Sequence, residues 1–387
     1  MAARPNVVVI YHFYPHYRKP VVEALARSAR ADFTFVGDDH EFLHSVEPAR
    51  LSSAVRFALA PTRHLFGPFM WQWGAIRWAM RREFDTVVMH AVPHWPCTWI
   101  GGLLARMLGK RVFFWGHGYL TRPTGLKGLL RRLFYAVPTD HMFYSRLSKA
   151  YAIEAGWPPE RLHVIYNSLD TAAQRAIRDA WTPESRRALR TELFGDASVP
   201  VIGCTSRLIP MRRLHELLEA VALLRDRGVG ANVVLVGDGP ERARLESLAR
   251  NLGLRVHFEG ACYDESRIGA LTMSCNVTVS PGKTGLTAVH SLGYGVPVVS
   301  HGDPDDQGPE WEAIIPGRTG SHFRSGDVAS LAEAIEPWLR TAETDPAVRK
   351  ACIDLVDHLW NPTYQCRAIE RAVCGEPAND LMEADPA

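Results

Sequence analysis

The chain has 387 residues, 47% of them hydrophobic, with a formal net charge of +2. That length exceeds one ordinary core and suits two domains, and no 18-residue run is continuously apolar, so no transmembrane helix is expected. The charge is uneven: residues 1–180 hold 23 Lys+Arg against 13 Asp+Glu, and residues 181–387 hold 21 against 29, so a basic half and an acidic half imply different partners. The start, MAARPNVVVIYHF, enters a strand-like run at once and carries no signal-peptide pattern. In chain order, NVVVIYHF, DFTFVG, FDTVVMHAV, RVFFWGHG, DHMFYS and RLHVIYN read as strands. VVEALARSAR, WIGGLLARMLG, LKGLLRRLFYAV and RLSKAYAIEAG read as the helices between them. Such alternation of β-branched runs and helices predicts a parallel sheet covered on both faces.

The alternation pauses over SLDTAAQRAIRDAWTPESRRALRTELFGDASVP and restarts at Val201. VIGCTSR, ANVVLVGDG, RVHFEGA, NVTVSPG and PVVSHG are then the predicted strands. The expected organisation is a first α/β domain over 1–170 and a second over 171–345, with a linker at 171–200. Helices over 346–375 are expected to pack back toward the first domain, followed by a frayed tail at 376–387. Seven cysteines without C-x-x-C or C/H spacing argue for reduced thiols in the cytoplasm, and for neither a zinc site nor a disulfide frame.

Two doubly wound domains facing each other would form a cleft at the carboxyl ends of their strands, where open sheets bind ligands. The residues that follow strands are therefore the candidates. Arg207 ends one strand and Arg212 precedes the next helix; with that helix start they suit a diphosphate, although two such arginines alone are more often solvated. Gly237 and Gly239 allow a tight turn that is either structural or close to a nucleotide. In PGKTGLTAVH, Lys283, Thr284, Gly285, Leu286 and Thr287 surround a helix start, with His290 one turn on. His117 follows a strand between two glycines. The basic half also places Leu126, Leu129, Leu130, Leu133 and Phe134 on one helical face, and MWQWGAIRWAMRREF mixes tryptophan with arginine. Each stretch suits either a membrane-surface helix or a core face with a solvated edge.

These motifs together resemble the GT-B fold, nucleotide-sugar-dependent retaining glycosyltransferases of family 4. SRLIPMRRLHELLEAVALL is similar to the family's strand–R-L-x-x-x-K-G–helix segment, with Arg207 at its Arg and Arg212 at its Lys. PGKTGLTAVHSLGYGVPVVSHG matches E-G-F-G-L-x-x-x-E-A-x-x-x-G-x-P-V-V, and GPEWEAIIPGRTG, with Glu310, matches the run that follows. VIYNSLD resembles the segment that ends the first domain. The resemblance implies that Arg207 and Arg212 hold the donor diphosphate, that Gly237, Lys283 to Thr287 and Glu310 lie along the donor, that His290 faces the ribose, and that His117 lies near the donor sugar. It also implies transfer with retention, no metal and no cofactor beyond the donor itself.

Two departures stand out. The family's paired glutamates fall on Gly282 and His290, and its glycine-rich loop after the first strand is replaced by HFYPHYRKP. His12, His16, Tyr17 and Arg18 of that loop are expected on the acceptor side. The expectation is a glycosyltransferase acting on a glycan or lipid-linked glycan in cell-surface polysaccharide assembly. It is expected to be cytoplasmic, peripheral on the anionic inner face of a membrane, and without a nucleic-acid partner. A non-catalytic glycosyltransferase-like subunit and a nucleotide-sugar epimerase are the alternatives. A Rossmann dehydrogenase is disfavoured, because no G-x-G-x-x-G follows the first strand.

Overall fold

The computed structural model describes residues 4–40, 47–122 and 124–378, with the backbone alone for 341–344. The described chain divides into two compact units: the first ends at Leu169 and resumes at Asn361, and the second is Asp170–Trp360.

In the first unit the elements are β1 Asn6–Phe13, α1 Lys19–Ala26, β2 Asp32–Asp38, β3 Phe57–Leu59, β4 Thr62–Phe66, β5 Phe69–Gln72, α2 Ala75–Met80, β6 Thr86–His90, α3 Pro96–Met107, β7 Arg111–Gly116, α4 Gly125–Tyr135, β8 Asp140–Phe143, α5 Arg146–Glu154 and β9 Leu162–Val164. Seven strands form one parallel sheet in the order β3-β2-β1-β6-β7-β8-β9. Alternate residues of β1 enter opposite cores. Val7 and Val9 pack with Val21, Val22 and Leu25 of α1, whereas Val8 and Ile10 pack with Ala75 and Ala79 of α2 and Ala105 of α3. A sheet buried on both faces explains the near-continuous apolar runs.

In the second unit the elements are α6 Thr171–Asp179, α7 Pro183–Phe194, β10 Val201–Thr205, α8 Leu214–Asp226, β11 Asn232–Val236, α9 Arg242–Asn251, β12 Val256–Gly260, α10 Glu265–Ser274, β13 Val277–Ser280, α11 Leu286–Gly293, β14 Val298–His301, β15 Gly320–Phe323, α12 Val328–Thr344 and α13 Pro346–His358. Its parallel sheet runs β12-β11-β10-β13-β14-β15. The last helix, α14 Pro362–Val373, belongs to the first unit, where Ile369 and Ala372 join the core of Val21 and Leu25. Both units are doubly wound α/β layers, as the alternation of elements predicts.

Several boundaries differ from the sequence reading. The stretch expected as a linker is two capped helices: Asp170 accepts from the Ala173 N–H, Thr182 accepts from the Ser185 N–H, and Gly195 at φ 75 ends the second. Within 346–375 the two helices part company. α13 lies in the second unit, with Arg349 and Ile353 against Gly295, while α14 lies in the first. MWQWGAIRWAMRREF is not one helix: Trp71 is in β5 of an antiparallel hairpin with β4, and Gly74, left-handed at φ 86, delays the helix to Ala75. β15 is too short to announce itself. The expected frayed tail lies, from residue 379 on, outside the described residues.

Candidate active site

The order of the second sheet reverses between β10 and β13, and open parallel sheets bind ligands outside such a point. The loops that follow these two strands carry Arg207 and Arg212 on one side and Lys283 to Gly285 on the other, and they are joined through their backbones. The Gly282 N–H donates to the Arg212 carbonyl at 3.2 Å, and Arg212 Nη1 donates to the Lys283 carbonyl. Gly282 has to be glycine: a Cβ there would lie 2.3 Å from the Met211 carbonyl oxygen. The position that aligns with the family's first glutamate has no room for a side chain.

The loop after β11 is seated in the same manner. Cβ atoms on Gly237 and Gly239 would lie 1.9 Å from the Ser206 carbonyl oxygen and 2.4 Å from that of Leu208. Leu208 N–H donates to the Asp238 carbonyl at 2.9 Å, and Glu241 N–H returns to the Leu208 carbonyl at 3.0 Å. Gly237, expected along the donor, here lets its loop close on the backbone that presents Arg207.

Arg207 is exposed and Arg212 half-buried. Among the described residues neither pairs with a carboxylate, and Arg212 Nε is buried without a partner. Thr284 is buried with its N–H on Gln307 Oε1 at 2.8 Å, and its hydroxyl has no partner. Gln307 is anchored in turn by Ser300 Oγ at 3.0 Å and the His301 carbonyl at 3.1 Å. Lys283, Leu286 and Thr287 are half-buried. Gly285 starts α11 with no side-chain cap, and open space lies where its Cβ would be. Uncompensated guanidinium groups, a lysine and an uncapped helix start are chemistry that holds an anion. Glu310 sits buried in the turn Pro309–Ala313. The neighbouring Gly308 packs on the Thr284 carbonyl, 2.6 Å from where a Cβ would stand.

His290 is not an isolated imidazole. Its Nε2 lies 3.0 Å from Glu265 Oε1, to which the Tyr294 hydroxyl also donates at 2.8 Å. Burial pushes the Glu265 carboxyl up, but the bonds from His290 and Tyr294 prevail and hold it below the usual carboxylate range. A carboxylate thus returns beside position 290 from the start of α10. With Nε2 donating to it, Nδ1 is the ring nitrogen left for another partner.

In the first unit the sheet order reverses between β1 and β6. His12 of β1 and His90 of β6 stack there, with ring centroids 4.4 Å apart and planes at 19°. Burial first, then the charge of Arg18, pushes His12 down to about 3, and burial pushes His90 in the same direction, so both are neutral at neutral pH. His117, just past β7, is exposed. The glycines around it are used for packing: Cβ atoms on Gly116 and Gly118 would lie 2.9 Å from Ala91 Cβ and 2.7 Å from the Phe143 ring. His16 is exposed and Tyr17 half-buried. Arg18, expected to face an acceptor, is instead enclosed at 5% exposure. The sequence reading missed Glu265, Gln307, His90 and Tyr144. Of these, His90 at the end of β6 and Tyr144 just past β8 carried a usable signal.

On α4 the leucines face outward: Leu126, Leu129, Leu130 and Leu133 are 72%, 54%, 52% and 51% exposed, while Phe134 is fully buried. The neighbouring α3 adds exposed Leu103 and Met107; Arg106 on that helix donates to the Ala136 carbonyl at the end of α4 at 2.7 Å. Among the described residues no helix is long and apolar enough to cross a membrane.

Residues 185–353 match the family described as Glycosyl transferases group 1. The chain is 34% identical over 185 residues to the lipopolysaccharide core biosynthesis glycosyltransferase LpsE of Rhizobium meliloti (strain 1021), covering 47% of this chain and 48% of that protein. It is 38% identical over 96 residues, 24% of this chain and 25% of the other, to a GDP-mannose-dependent alpha-(1-6)-phosphatidylinositol dimannoside mannosyltransferase of Mycobacterium tuberculosis (strain ATCC 25177 / H37Ra). In these alignments the chain spans a quarter to a half of its relatives' length. The fold is similar to that of Anabaena Alr3699/HepE in complex with UDP, at TM-score 0.69 and 18% identity over 95% of this chain and 99% of that one. It is also similar to a glycosyltransferase from Rickettsia africae ESF-5, at TM-score 0.71 and 14% identity over 96% and 98%. The chain thus has the GT-B fold and carries, in its second unit, a domain of the glycosyl transferases group 1 family.

Proposed function

We propose that the protein is a glycosyltransferase that moves a sugar from a nucleotide-sugar donor to a glycan or lipid-linked glycan, with retention of configuration and without a metal ion, in cell-surface polysaccharide or glycolipid assembly. The observation that carries this reading is the pair of unneutralised arginines, Arg207 and Arg212, on a loop locked to its neighbour at the switch point of the second sheet. Cleaving a nucleotide sugar leaves negative charge on the departing diphosphate. Arg207, Arg212, Lys283 and the start of α11 would stabilise that charge, and the leaving phosphate would take the acceptor's proton. His290, held by Glu265, would present Nδ1 to a donor hydroxyl. His117 is assigned to the donor sugar by the resemblance.

The relatives' names support a nucleotide sugar and an envelope acceptor: LpsE is named for lipopolysaccharide core, the mycobacterial protein for GDP-mannose and a phosphatidylinositol mannoside, and a HepE structure holds UDP-glucose. The outward leucines of α4, with Lys127, Arg131 and Arg132 on the same helix, favour a peripheral seat on the anionic inner face of a membrane from the cytoplasmic side. A second reading, a non-catalytic binding subunit, is favoured by the lack of a carboxylate at both 282 and 290. Incubation with labelled GDP-mannose and UDP-glucose, with and without lipid extract, separates them. Lipid-dependent label transfer supports the transferase. Acceptor-independent conversion of the donor sugar indicates an epimerase, and binding without turnover indicates the subunit.

A further inference from the structure

Arg18 ends the turn His16–Arg18 that follows β1, at the switch point of the first sheet. Its Nη2 donates to Tyr144 Oη at 2.5 Å and to Tyr11 Oη at 3.4 Å, while Nε and Nη1 are buried without a partner. The guanidinium carbon lies 5.2 Å from the ring centroids of Tyr11 and Trp115, 5.3 Å from that of Tyr144 and 5.9 Å from that of Tyr17. Among the described residues no carboxylate pairs with it.

A cation enclosed without a counter-ion is a liability: cation–π contact and a phenol bond return only part of the lost hydration. Replacing a buried ion with an apolar side chain of similar volume is often neutral or stabilising, and the four aromatic rings would pack as well on a methionine. The fold therefore does not need this charge.

Its surroundings indicate where the charge acts. Tyr144, whose hydroxyl it holds, meets the His117 ring edge to face at 5.2 Å and 75°, and His117 is exposed at the C-terminal end of β7. The charge already reaches His12 and His90, helping burial to keep both neutral. In such enclosed surroundings it is poorly screened.

We propose that the C-terminal edge of the first sheet, at His117, binds a ligand through a phosphate monoester or diester, whose negative charge is met through space by the enclosed guanidinium of Arg18. In the transferase reading that ligand is the acceptor, which would meet the donor sugar beside His117; its binding can be tested without turnover.

The test uses the full chain, glycerol 3-phosphate as probe and glycerol as control. The readout is the rate at which diethyl pyrocarbonate modifies His117, followed by peptide mass spectrometry. Glycerol 3-phosphate, and not glycerol, is expected to protect His117. In Arg18→Met the concentration for half-protection is expected to rise at least about tenfold with no fall in Tm, while Arg18→Lys, which keeps the charge, stays close to wild type. Absent protection in the wild type, or unchanged protection in Arg18→Met, would overturn the proposal. So would an Arg18→Met chain that melts lower or fails to fold, because the fold would then need the charge.

Discussion

Gly282 rests on Met211 so closely that a Cβ would stand 2.3 Å from the Met211 carbonyl oxygen. This contact fixes the two switch-point loops against each other and leaves no room for a side chain at position 282, where the resemblance would place a glutamate. Gly282→Glu is therefore expected to lower stability by about 1–3 kcal/mol through overpacking, and to weaken nucleotide binding rather than improve it. Urea unfolding and nucleotide titration of the variant check both parts.

Arg207 and Arg212 should separate in stability but not in binding. Arg207 is exposed, and its replacement by alanine is expected to change stability by less than about 0.5 kcal/mol. Arg212→Ala loses the bond to the Lys283 carbonyl and is expected to cost about 1.5–3 kcal/mol. Both should weaken nucleoside diphosphate binding. Calorimetric titration beside thermal melts distinguishes this pattern from two solvated arginines, which would alter neither quantity.

The Glu265 carboxylate accepts from His290 and Tyr294. Glu265→Ala leaves both donors unmatched and is expected to destabilise the chain by about 1–3 kcal/mol. Because the folded carboxyl titrates below its ordinary value, its contribution is present above the unfolded pKa and is lost as pH falls through the folded one. The gap between wild type and Glu265→Ala should narrow in acid, as read by melts across a pH series.

His141 gives a second acid-sensitive case, in the first unit. It is buried, and burial pushes it down to about 3. Between that value and the ordinary histidine range the unfolded chain binds a proton that the folded chain does not, so stability falls as pH falls. At pH 5 the loss is about 2 kcal/mol for one such group. His141→Phe, which keeps a ring against Tyr135, Phe143 and Trp157, should resist acid unfolding better than wild type, and urea midpoints at pH 7 and pH 5 would record it.

The outward leucines of α4 are expected to matter only at a surface. Serine at Leu126, Leu129, Leu130 and Leu133 together should leave Tm unchanged or slightly raised and abolish sedimentation with anionic vesicles at low salt. Retained vesicle binding would contradict the assignment of this helix to the membrane.

The architecture was legible because period and composition agree. β-branched runs such as NVVVI and ANVVLV, spaced by helices, leave little choice but parallel sheets. The hairpin of β4 and β5 was not legible, because MWQWGAIRWAMRREF, which begins inside β5, reads equally well as one helix, and the left-handed Gly74 delays that helix to Ala75. At the candidate site, Arg207 and Arg212 could be singled out because they follow a strand. Glu265 was not, because its nearness to His290 depends on how α10 lies against α11, which no local pattern encodes. For Gly237 the sequence left a structural turn and a nucleotide contact both open, because a glycine that admits a ligand and a glycine that admits its own neighbouring loop look alike in sequence.

The most direct test of a nucleotide-sugar site at the second switch point is thermal stabilisation by UDP, GDP, dTDP, ADP and CMP, on wild type and on Arg207→Ala with Arg212→Ala. At a hundred times its Kd, a bound nucleotide should stabilise the wild type by about 2.7 kcal/mol. The predicted result is a shift with one nucleoside diphosphate that the double variant lacks. No shift with any of the five, or a shift that survives loss of both arginines, would contradict it.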